Sequence, residues 1–212
     1  MSHTPRSYHS PLREQDAQRT QELILSSARE LFVTQGYSRV TMSDIAAAAG
    51  IAVKTVYASV GTKAAVLEFL LAFDPAHARL AEVDRRVTKA AGLEPAIALT
   101  AGSARADNER LRPSIDLLYA SMASDEGARQ AWNSVVAGCR QALRAIAGRL
   151  VEHRLVSAHL DVGAVDDRLW FCFGPAAWRT LITECHWSYE DAERFLRRQA
   201  VAMLTEPPDQ RA

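Results

Sequence analysis

DIAAAAGIAVKTVYASV, Asp44 to Val60, reads as two short helices hinged at one glycine. Ala46 is small where two helices must cross closely. Gly50, four residues on, supplies the turn, and Val56, six beyond it, anchors the second helix to a core. Ile45, Ala49 and Ile51 complete the apolar contacts. This is the local geometry of a helix-turn-helix. The spacing alone also fits two amphipathic helices of any bundle.

Outward from this stretch the chain keeps a helical rhythm. Thr41-Met-Ser-Asp44 forms a capping box that opens the helix from Met42 to Ala49. Upstream, Leu23, Ile24, Ala28, Leu31 and Phe32 fall on one face of a helix expected from Gln15 and closed by Gly36. Residues 1–14, rich in Ser, His and Pro, are expected to be a flexible arm. Downstream, a helix from near Val53 to Ser59 is broken at Gly61-Thr62, and Thr62 can cap a further helix. Residues 15–72 thus form one small domain, with a boundary at Asp74-Pro75. Residues 75–205 form a larger one, with 206–212 as a tail.

The larger domain repeats helices. Expected segments are Glu94–Glu109, Pro113–Ala123, Asp125 to about Leu155, and Asp161–Glu184 interrupted at Gly174-Pro175, since proline lacks the helical donor. Ser188 and Asp191 form a second capping box before a last helix through Phe195, Leu196, Ala200 and Leu204. No strand pattern or repeat occurs. The fold class is all-α: an N-terminal helix-turn-helix domain followed by a larger helical domain.

Composition narrows the function classes. Lys and Arg number 25 against 25 Asp and Glu, and residues 1–72 carry seven basic and six acidic side chains. That balance lacks the broad basic stripe of a non-specific nucleic-acid binder, so any DNA contact must rest on a few placed side chains. No run approaches the roughly 20 apolar residues of a membrane span. The N-terminus has no apolar core of a secretory signal. Cys139, Cys172 and Cys185 are odd in number with no CxxC spacing, which points away from disulfides and structural zinc and towards a reducing, cytoplasmic setting. Ser103 lacks a nucleophile elbow, and the adjacent Cys185 and His186 cannot face one another on a helix. No enzyme, metal or cofactor is implied.

The run ILSSARELFVTQGYSRVTMSDIAAAAGIAVKTVYASVGTKAAVLEFLL, Ile24 to Leu71, closely resembles the N-terminal domain of the TetR family of bacterial transcriptional regulators. The match includes Ala28, Leu31, Phe32, Gly36 and Tyr37. It continues through Thr41, Asp44, Ile45, Ala46, Gly50, Thr55, Val56, Tyr57 and Lys63, in order and without a gap. The resemblance implies a helical dimer on a palindromic double-stranded operator, usually released when a small molecule occupies the second domain. It departs from the family at Ala58, Ser59 and Val60, where an aromatic or His pair and a Phe are common, and at Ala52, which replaces a capping Ser.

A recognition helix in the major groove presents its N-terminal side chains to base edges. Here these are Val53, suited to apolar contact, Lys54, the one long donor, suited to guanine, and Thr55. Tyr57 and Lys63 are candidates for phosphates, as are Thr41 and Ser43 at the start of the preceding helix. Each also has a structural reading: Tyr57 can pack, Thr41 can only cap, and Lys54 can be solvated. Arg6 and Arg13 could reach a minor groove from the arm.

WRTLITECHWSYEDAERFL, Trp178 to Leu196, resembles the last two helices of some family members, which form the dimer interface as a four-helix bundle. Phe173, Ala177, Leu181, Phe195 and Leu196 are the expected seam residues. For the unknown effector, Tyr119, Met122, Trp132, Val136, Phe171 and Trp178 are candidate pocket residues because aromatics concentrate there. Arg112 or Asp116 would be a polar anchor. The same aromatics can also be ordinary core. The alternative reading is a small-molecule-binding or catalytic helical protein that no longer uses its DNA-binding head. A third is a structural dimeric adaptor.

Overall fold

The structure, a computed structural model, describes the backbone of residues 11–72, 83 and 85–207, and the side chains of 15–70, 83 and 85–207. Among these residues the fold is all-α. Helix α1 spans Pro11–Gln35, and a single 3-10 turn, Tyr37–Arg39, follows it. Next come α2 (Met42–Ala49), α3 (Val53–Val60) and α4 (Lys63–Ala72). Then α5 covers Leu93–Ser121 and α6 Glu126–Glu152. Helix α7 is Val162–Phe173 and α8 is Pro175–Arg179, which continues as a π-helical turn, Thr180–Glu184; α9 is Tyr189–Thr205.

The chain divides into two compact units. The first contains residues up to Leu71 together with Asp116–Ala131, and the second contains Ala72–Ile115 and Trp132 onward. In the first unit Ile24, Ala28, Phe32, Ile45 and Val56 have no exposed surface, and each large aliphatic among them contributes about 1.5–3 kcal/mol by leaving water. Phe32 meets Tyr37 edge-on, with ring centroids 5.0 Å apart. The turn between α2 and α3 is closed by the Ile51 amide donating to the Ala46 carbonyl at 3.0 Å and the Gly50 amide to Ala47 at 3.2 Å. Gly50 sits at φ 66°, ψ 29°, in the left-handed region, with nothing within 4 Å of where a Cβ would stand. Gly50→Ala therefore meets no clash and carries the backbone penalty alone. It should lower unfolding free energy by about 1–2 kcal/mol in a denaturant titration.

The capping box at Thr41 is complete: the Asp44 amide donates to the Thr41 hydroxyl oxygen, and the Thr41 amide donates to the Asp44 carboxylate. Ser188 caps α9 by accepting from the Asp191 amide, and its hydroxyl donates to the Asp191 carboxylate at 2.7 Å, as the Thr41 hydroxyl does to Asp44. These hydroxyl bonds hold both carboxyls below their ordinary pKa, with Arg194 assisting at Asp191. Because the folded values are depressed, both caps keep their support above the ordinary carboxylate range and lose it as the pH falls through the lowered values.

Four element boundaries differ from the sequence expectation. Helix α1 is already formed at Pro11, earlier than the expected start at Gln15. The expected break at Pro113 is absent, and α5 runs through it. Pro113 and Glu109 are both exposed, so the carbonyl that loses its donor faces water. Helix α6 stops at Glu152, short of Leu155, because Arg154 takes the left-handed conformation at φ 54° and the Leu155 amide turns back to the Leu150 carbonyl. Gly36 has φ 84° but an extended ψ of 141°, so it leads into the 3-10 turn instead of a left-handed cap. The boundary at Asp74-Pro75 and residues 1–10 of the arm, with Arg6, lie outside the described residues, as does the Arg13 side chain.

In the second unit one core joins α5 to α9: Ile97, Leu143, Ile146, Leu150, Leu169 and Leu204 are buried together. Trp178 is 1% exposed and stacks on Tyr189, with centroids 6.2 Å apart. The expected interruption at Gly174-Pro175 separates α7 from α8. Burial pushes the thiols of Cys139 and Cys172 up to about 11, Asp107 assisting at Cys139, while Cys185 is exposed. Mass spectrometry after brief alkylation at mildly alkaline pH should find Cys185 modified and the other two intact until the protein unfolds.

Candidate nucleic-acid interface

The second helix of the helix-turn-helix is fixed by one face and offers the other. Val56 and Val60 are buried against α1 and α2. Of its other residues, Val53 at the N-terminal end is 38% exposed and Tyr57, one turn on, 52%. Lys54 and Thr55 are exposed beside them. No side chain caps α3, since its N-cap is Ala52. The amides at its start are left to solvent or to an anionic partner. These four side chains form one surface with an apolar contact, a cationic donor, a hydroxyl and a phenol. That set can read a base edge and hold a phosphate.

Thr41 and Ser43 are exposed at the start of α2. The Thr41 hydroxyl already donates to Asp44 at 2.7 Å, so it would have to turn from that carboxylate to bind a phosphate. Lys63 differs most from the expectation of a freely offered charge. Its ammonium donates to the Tyr37 carbonyl at 3.0 Å and lies 4.2 Å from the centre of the Tyr37 ring. It also stands 3.9 Å from the Asp125 carboxylate. Burial, with the charges of Asp125 and Glu68, holds the Tyr37 hydroxyl protonated well above its ordinary range. Periodicity could not reveal this arrangement, because Asp125 is distant in sequence.

Residues 24–70 match the family model described as bacterial regulatory proteins, tetR family. Residues 24–70 are thus a TetR-type N-terminal domain. That head is the DNA-binding domain of a class of transcriptional regulators, and the class is not enzymatic. No curated protein matches its sequence. Solved structures share the fold over nearly the whole chain. NalD of Pseudomonas aeruginosa, the secondary repressor of the MexAB-OprM multidrug efflux pump, aligns with TM-score 0.71 at 18% identity, covering 90% of this chain and 99% of NalD. A TetR-family regulator from Mesorhizobium loti aligns with TM-score 0.66 at 18% identity, covering 89% and 96%. FadR of Bacillus subtilis, solved with stearoyl-CoA, gives 0.63 at 18%, covering 86% and 97%.

The residues expected to line an effector pocket divide between the two units. Asp116, Tyr119 and Met122 belong to the first unit, while Arg112, Trp132, Val136, Phe171 and Trp178 belong to the second. All but the last two are half-buried. Phe171 is 69% exposed on α7, whereas Trp178 is core. The expected seam residues also separate. Phe173 is 4% exposed and packs inward. Ala177, Leu181, Phe195 and Leu196 line a groove of about 570 Å³, together with Asp167, Trp170 and Phe171. Phe171, expected in the effector pocket, stands instead on this groove beside Trp170. Trp187 closes on Phe195 edge-on at 5.3 Å. Among the described residues no helix is long and apolar enough to cross a membrane, and no His, Cys, Asp or Glu cluster could hold a metal ion.

Proposed function

We propose that this TetR-family regulator is a homodimeric repressor that leaves a palindromic operator when a small molecule occupies its larger domain. The exposed face of α3 carries the reading: Val53, Lys54, Thr55 and Tyr57 stand outward while Val56 is wholly buried. One such head makes few base contacts, so two heads on a palindrome are needed for useful specificity.

The groove on α7, α8 and α9 supports the dimer. It places Trp170, Leu181 and Phe195 beside an exposed Phe171, an apolar surface that a second copy would cover. NalD is described as a repressor, FadR was solved with stearoyl-CoA, and SmeT with triclosan. These support a ligand-released mechanism for this chain as well. In the second unit, Trp132 and Val136, one turn apart on α6, and Arg112 on α5 are the effector contacts we favour. Linkage supplies the mechanism: an effector that prefers the form with wrongly spaced heads lowers operator affinity by its differential binding to the two forms.

The deciding experiment is a gel shift with the DNA upstream of the protein's own gene, run while a compound panel is screened by Trp fluorescence. A specific shift that one compound reverses supports the proposal. Absence of any specific shift removes it in favour of a helical protein that no longer uses its head. A compound that binds tightly yet leaves the shift unchanged excludes coupling for that ligand.

A further inference from the structure

Lys63 is held by three groups within the first unit. Its ammonium is bonded to the Tyr37 carbonyl, sits over the Tyr37 ring and is balanced by Asp125. Asp125 itself is fixed, because its other carboxylate oxygen accepts from the Ala128 amide at 3.0 Å and so caps α6. The turn that carries it packs tightly. A Cβ at Gly127 would stand 3.2 Å from both the Ala64 methyl and the Tyr37 hydroxyl. Segment 116–131 is therefore part of the same body as the helix-turn-helix.

At 3.9 Å, with both side chains 23% exposed, the pair between Lys63 and Asp125 is loose and open to water. Such pairs are worth little and exchange easily. A lysine on its four-carbon stem can turn from one anion to another without disturbing the fold. We propose that Asp125 is a positioning residue for DNA binding: its carboxylate balances Lys63 until the head docks, and Lys63 then passes from Asp125 to a backbone phosphate. Asp125 thereby sets the baseline affinity for any duplex, independent of sequence. This inference rests on the DNA-binding role of the head.

The test uses the full-length protein, duplex DNA from upstream of its own gene and a random-sequence duplex. Asp125→Asn keeps an α6 cap and removes the competing charge. It should raise affinity for both duplexes roughly two- to fivefold. Lys63→Met, which preserves packing on the Tyr37 ring, should weaken binding to both and lower the slope of log K against log salt by about one. The double variant should bind like Lys63→Met, with the gain abolished. Should Asp125→Asn prove less stable, Asp125→Ser keeps the cap and repeats the measurement. A gain that persists without Lys63 would mean a general field effect and overturn the proposal, as would an unchanged affinity in Asp125→Asn. A wild-type protein that binds neither duplex would overturn the DNA-binding role itself, a different result from a bound wild type that Asp125→Asn leaves unaltered.

Discussion

A Phe171→Glu chain should sediment as a single 23.3 kDa species, and its operator affinity should fall roughly 10²–10⁴-fold. Phe171 is 69% exposed on α7, so the substitution removes no core contact and thermal unfolding of the subunit should change little. In the proposed dimer, however, the same side chain leaves water against a second copy. A carboxylate there must be desolvated without a partner, which apolar walls such as Trp170 and Leu181 do not provide. Once the copies separate, the second head no longer binds at high effective concentration, and only single-head affinity remains. Sedimentation and gel shift measured on the same samples decide the point. A dimer that survives Phe171→Glu with full operator affinity would place the seam elsewhere.

Lys54→Ala should cost about 1–3 kcal/mol of discrimination at one base pair of each half-site. Lys54 is exposed on α3 and is the one long cationic donor on its outward face. Its loss should therefore show as relaxed preference at a single position, with affinity for random-sequence DNA much less affected. Lys63→Met should do the reverse, weakening all sequences alike. Competition binding against a set of single-base operator variants separates the two patterns. Equal loss at every variant would mean that Lys54 holds a phosphate.

The head was largely legible because its signals are local. Thr41 and Asp44 are three residues apart and cap each other, Gly50 must turn within one residue, and Val56 follows at a fixed helical offset. The same is true of Ser188 with Asp191 and of the interruption at Gly174-Pro175. Pro113 misled because a helix tolerates a proline whose lost partner faces water. Arg154 was invisible because an arginine occupies a position that usually signals itself by glycine. The tether that holds Lys63 could not be read, since its partners Tyr37 and Asp125 reach it through space. Phe171 and Trp178 illustrate the same limit: both are aromatic and helical, yet one is 69% exposed and the other 1%.

The first compact unit draws on two stretches of chain, 11–71 and 116–131 of the described residues, and this constrains how the protein can be recombined. A chimaera spliced just after Ala72 would carry Lys63 and Tyr37 onto a foreign partner while leaving Asp125 and Gly127 behind. Its lysine would lose its counter-charge, and the Tyr37 hydroxyl would lose the glycine turn against which it packs. Grafting the operator preference of this regulator onto another scaffold therefore calls for transplanting two separate cassettes, the second bringing the turn that opens α6.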